Sequence, residues 1–89
     1  HNLKKKIKMA TYKFPQFNTE IVNPTVTVSD ADIKVNAPGM SISLSVTLET
    51  TNSKLYGVEL TDIPADNLCY EGEANLMSKA MEGLQQYEV

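Results

Sequence analysis

Residues 41–49 run Ser41, Ile42, Ser43, Leu44, Ser45, Val46, Thr47, Leu48, Glu49, with polar and apolar side chains in strict alternation. A period of two is the signature of a β-strand with one face in a core and the other in water. This stretch fixes the rest of the reading, because a half-buried strand needs neighbours on both sides and an apolar layer beneath it.

The neighbours are readable on either side. Residues 25–28 alternate with Val26 and Val28 inward, and past Ser29 and Asp30 the apolar positions shift phase to Ala31, Ile33 and Val35. A one-residue slip of this kind marks a bulge, or a turn between two short strands. Asn36, Ala37, Pro38 and Gly39 form a turn signal, with proline at the first central position and glycine at the second, as in a type II turn. Residues 50–53 are a polar loop, and residues 54–61 return as a strand with Tyr56, Val58 and Leu60 on one face. Gly57 inside that strand suggests a bulge or a close backbone approach. Residues 9–14 alternate weakly and end at Pro15. Residues 15–24, bracketed by Pro15 and Pro24, read as an extended connector, and any earlier strand is expected at an edge of the sheet.

After Asp62, Ile63 and Pro64, where a short capped helical turn is expected, the period becomes helical. Over residues 73–87, Leu76, Met77, Ala80, Met81, Leu84 and Tyr87 fall at i, i+3, i+4 spacing, with Asn75, Ser78, Lys79, Glu82 and Gln86 opposite. Gly83 within this helix costs about 1 kcal/mol relative to alanine. The predicted fold is therefore α+β: an antiparallel meander of about four strands with one C-terminal amphipathic helix packed on one face. A helix of about 14 residues is roughly 21 Å by 10 Å, whereas four strands span about 15–19 Å across. One helix covers about half of the apolar face. The remainder falls to the aromatic segment from Tyr12 to Phe17, to a loop bearing Leu68 and Tyr70, or to a second subunit.

Composition narrows the function classes. The chain has 89 residues, 42% apolar and 21% charged, which is ordinary for one folded soluble domain. No apolar run approaches the roughly 20 residues of a membrane span, and a cytoplasmic location (or a place in a virion) is expected. Four of the eight lysines lie in the first eight residues, and there is no arginine. Residues 1–8 read as a disordered basic extension, a tag remnant or an over-extended gene start, leaving residues 9–89 as the domain. From residue 9 onward four lysines face eleven acidic residues, a formal charge of −7. Such a body repels phosphate backbones, so neither nucleic acid nor membrane is an expected partner.

Chemistry-bearing groups are sparse. The one thiol, Cys69, has as its only imidazole His1 at the chain start, which gives no nucleophile pair. Asp30 and Asp32 with Asn36 hint at a calcium loop, but Lys34 and Val35 occupy positions where a ligand and the sharp-turn glycine belong. Asp62, Asp66, Glu71 and Glu73 lack ligand spacing, and the four glycines form no phosphate loop. No enzyme activity, cofactor or metal is expected. The candidate interaction surface is the row Ser41, Ser43, Ser45 and Thr47, read as flat and uncharged, together with Phe14 and Phe17. The expected function is a small non-enzymatic structural or assembly subunit, of the kind found in phage or mobile-element assemblies, that self-associates or docks in a larger complex. The alternative is a protein- or peptide-binding module using an open sheet edge.

Overall fold

The alternating stretch is the centre of the sheet. The computed structural model describes residues 5–36, 39–65 and 73–89. Numbering elements in chain order, β1 is Lys5–Ile7, β2 Thr11–Phe14, β3 Thr19–Val22, β4 Thr25–Asn36, β5 Gly39–Glu49, β6 Leu55–Ala65 and α1 Glu73–Leu84. Four strands form one antiparallel sheet in the order β1-β4-β5-β6, and β2 and β3 form a separate two-stranded sheet. The α+β meander with a C-terminal helix is thus present.

Register explains the phase slip. β4 pairs with β5 from Thr25 opposite Glu49 to Asn36 opposite Gly39, and the register shifts once, between Val28 and Asp30. Ser29 is the extra residue of a bulge inside one 12-residue strand, which lets Val26, Val28, Ala31 and Ile33 share a face. Gly39 pairs with Asn36 as the first residue of β5, and the expected central turn residues 37 and 38 lie outside the described residues. The 50–53 loop is polar as expected: Thr50 N–H donates to Lys54 O at 2.8 Å and Ser53 N–H to Thr50 O at 2.9 Å.

β6 departs from its expected bounds. It runs on to Ala65, and Ile63 pairs with Ile42 while Leu60 pairs with Leu44. Thr61 and Asp62 together therefore face Ser43, and Asp62 sits in the left-handed region at φ 58°. The expected helical turn at Asp62 and Pro64 is instead a bulged strand. Proline is tolerated here because β6 is an edge and need not donate outward. Gly57 is neither at the bulge nor at a close approach, since a Cβ added there meets nothing within 4 Å.

The N-terminal quarter differs most. Residues 15–24 are not a connector. A 3-10 turn at Pro15–Phe17 leads through Asn18, at φ 51°, into β3, which pairs with β2 from Phe14 opposite Thr19 to Thr11 opposite Val22. This hairpin lies apart from the main sheet's edge. It is β1 that adds there, Lys5 opposite Thr27 and Ile7 opposite Thr25, so residues 5–7 of the expected disordered extension form a strand.

The hairpin answers the coverage problem. The inner face of the sheet buries Val26, Val28, Ile42, Leu44, Val46, Leu48, Val58, Leu60 and Ile63. They form one cluster with Leu76, Met77, Ala80 and Leu84 of α1 and with Tyr12, Phe14 and Ile21 of the hairpin. The aromatic segment supplies the second half of the layer. Phe14 meets Tyr87 at 4.7 Å between ring centroids, and Phe17 meets Tyr56 at 5.1 Å. The chain end locks onto β2, with Val89 N–H donating to Thr11 O at 2.9 Å and Glu88 bridging Tyr12. Leu68 and Tyr70 lie outside the described residues. Where described, α1 follows its expected faces, with Leu76, Met77, Ala80 and Leu84 buried and Asn75, Ser78 and Glu82 exposed.

Candidate interaction surface

With most of the inner face covered by α1 and the hairpin, and Ile33 at its β4 margin 38% exposed, what remains is the outer face of the sheet and its two edges. Ser41, Ser43, Ser45 and Thr47 do form a half-buried row along β5 on the outer face. Phe14 and Phe17 do not join them. Phe14 is fully buried in the core, and Phe17 is half-buried beside Tyr56 under the inner layer. The six expected residues thus divide between opposite sides of the sheet, and Phe14 has no surface to offer a partner.

The hydroxyl row is also not uncharged. Pairing places Asp32 beside Ser43, and both Asp30 and Glu59 beside Ser45. Ser45 Oγ donates to Glu59 Oε1 at 2.7 Å, and Ser29 Oγ donates to Ser45 O at 3.0 Å. Asp30 Oδ1 accepts from the Ala31 N–H at 2.9 Å, an ordinary local turn contact. Carboxylates on the two flanking strands, β4 and β6, thus interleave with the hydroxyls of β5, which the sequence could not show without the register. The Asp30 and Asp32 pair gains no third ligand: among the described residues no three His, Cys, Asp or Glu side chains are grouped to hold a metal ion. Of the second acidic group, Asp62 lies in β6 and Glu73 opens α1, while Asp66, Glu71 and Cys69 lie outside the described residues. An open hollow of about 580 Å³ beside the hairpin tip, bounded by Lys13, Phe14, Pro15, Asn18, Thr19 and Glu20, presents one amine and one carboxylate.

The edges differ from one another. On the β4 side, β1 covers only Thr25 to Thr27. Beyond it lie the Ser29 bulge, Asp30 and Asp32, which discourage further pairing. On the other side β6 pairs with β5, and among the described residues nothing pairs with its outer edge. From Leu55 to Leu60 this edge contains no lysine, no proline and no bulge, and Leu55 is 63% exposed. The blocking devices, the left-handed Asp62 and Pro64, are confined to its far half. Lys54, just before the strand, lies over the Tyr56 ring at 5.4 Å.

Among the described residues no helix is long and apolar enough to cross a membrane. The chain matches no protein-family profile, no curated protein and no solved structure.

Proposed function

We propose that this chain is a non-enzymatic assembly subunit that joins its partner by strand addition at the outer edge of β6. The observation that carries the reading is the unguarded run from Leu55 to Leu60. Natural sheets blunt such edges with lysine, proline, bulges or a covering element, and this half of β6 has none of them. An added strand would hydrogen-bond to backbone groups that no strand pairs among the described residues, and side-chain contacts at Leu55 and Glu59 would give it selectivity. Coverage of most of the inner face by α1 and the hairpin leaves little apolar surface there to drive association, which favours the edge of the sheet over its face as the docking element.

The test is light scattering over a concentration series that reaches high protein concentration, on the wild-type chain and on Gly57→Lys. Space is open at Gly57, so the lysine fits the fold while guarding the edge. Wild-type mass should climb above 9.8 kDa with concentration, and the variant should stay at the monomer mass with an unchanged melting curve. A wild-type chain that is a monomer throughout, or a variant that associates as well as the wild type, would overturn the reading.

A further inference from the structure

The two outermost strands of the sheet are complementary to each other. β1 contributes Lys5 and Lys6, with Lys8 directly after it, and all three of its residues are exposed. β6 contributes Glu59 and Asp62 and contains no lysine. Each of these strands also carries an exposed apolar side chain, Ile7 (65%) on β1 and Leu55 (63%) on β6, while Met9, Val22, Ile33 and Val89 are exposed elsewhere. Direction matches too. Each neighbour in the order β1-β4-β5-β6 is antiparallel, so β1 runs opposite to β6. A copy placed alongside by simple continuation of the sheet therefore presents β6 antiparallel to β1.

Resting on the strand-addition reading above, we infer that the partner at the β6 edge is the β1 edge of a second copy of this chain, joined head to tail. The pairing sets Lys5 opposite Glu59, Lys6 opposite Val58 and Ile7 opposite Gly57 of the neighbouring copy. Lys5, Ile7, Gly57 and Glu59 all belong to the outer face, because Lys5 and Ile7 align with Thr27 and Thr25, and Gly57 and Glu59 with Thr47 and Ser45. An amine meets a carboxylate, and an exposed isoleucine covers the open space over Gly57. The alternatives set like against like: β6 on β6 brings acidic edges together, and β1 on β1 brings lysines together, both unfavourable across a ladder. A contact between two different edges leaves one of each kind free on every growing end, so it builds rings or open arrays and does not stop at a dimer.

Charge reversal tests this with light scattering, using Lys5→Glu, Glu59→Lys, the double variant carrying both, and a mixture of the two single variants. Wild-type mass should rise past a dimer at low salt and fall to 9.8 kDa near 1 M salt, where the screening length is about 3 Å. Each single variant should lose association; the mixture and the double variant should regain it. Melting curves establish that every variant is folded. Association that survives salt and both single reversals but is abolished by Gly57→Lys would overturn the β1 pairing and leave the edge reading standing. A mass plateau at the dimer would also overturn it, pointing to β6 on β6. A wild-type monomer in all conditions would overturn both.

Discussion

Gly83 of α1 lies so close to Leu60 of β6 that a Cβ on the glycine would fall 3.0 Å from Leu60 Cδ1 and 3.4 Å from Leu60 Cβ, with Ile63 Cδ1 at 2.9 Å. The helix carries a residue of low propensity at the point where a Cβ would press on two core methyl groups. For Gly83→Ala the helix gains about 1 kcal/mol of propensity, while two methyl ends in the core must move aside. The two effects nearly cancel, and urea denaturation should show a change within about 1 kcal/mol of zero. Gly83→Val adds branching that those methyl ends cannot clear, and a loss of about 2 kcal/mol or more is expected. Equal stability for valine and glycine would show that the approach is looser than described.

The sheet was legible in the sequence where one residue determines the next. The alternation through Ile42, Leu44, Val46 and Leu48 is a local pattern and gave the central strand, whereas the phase slip at Ser29 left a bulge and a turn equally open until pairing with β5 decided for the bulge. The β2–β3 hairpin was not legible because Pro15 and Pro24 mask it. Its positive signal was Asn18 and Asn23, which bracket β3 at φ 51° and φ 48°, a conformation asparagine adopts more readily than most residues. Asp62 and Pro64 misled because their chemistry suits a helix start as well as a bulged edge, and only a partner strand decides between them. The surroundings of the hydroxyl row were not legible for a related reason: cross-strand register, not sequence spacing, sets Asp30 and Glu59 beside Ser45, and Phe14 lies in the core.

Phe14 and Phe17 should separate sharply on truncation. Phe14 is 0% exposed and stands among Tyr12, Phe17 and Tyr87 at centroid distances of 6.1, 5.9 and 4.7 Å. Phe14→Ala should cost about 3–5 kcal/mol, a large share of the roughly 5–15 kcal/mol that holds a domain together. Phe17, half-buried at the rim, should cost about 1–2 kcal/mol. Chemical denaturation of both variants checks the order. Similar losses for the two would show that the hairpin does not close the core through Phe14.

Neighbouring serines of the hydroxyl row should respond with opposite signs. Ser43 Oγ is shielded from solvent and has no hydrogen-bond partner among the described residues, held beneath the bulge where Thr61 and Asp62 face it. A buried polar atom left unpaired costs about 1–3 kcal/mol, so Ser43→Ala should stabilise the fold by about 1 kcal/mol. Ser45 donates to Glu59, and Ser45→Ala should lose about 0.5–1 kcal/mol. Denaturant midpoints for the pair check this, and a loss at Ser43 would mean its hydroxyl is satisfied in solution.

Tyr12 sets an alkaline limit on stability. Burial, and secondarily the negative charge of Glu88, push its phenol above the ordinary value of 10.0. The folded state therefore holds the proton more tightly than the unfolded chain does. The sign follows from linkage: the contribution is complete below the unfolded value near 10 and is lost as pH rises through the folded value. Above pH 10, unfolding of the wild type should become easier by up to about 1.4 kcal/mol per pH unit from this group alone. Tyr12→Phe removes the titration, so its stability should fall less steeply in the same range. Glu88→Gln should lie between the two, because it removes only the smaller cause. Urea midpoints from about pH 9 to pH 11.5 for the three chains provide the comparison. Parallel curves for the wild type and Tyr12→Phe would show that the phenol ionises as freely in the fold as outside it.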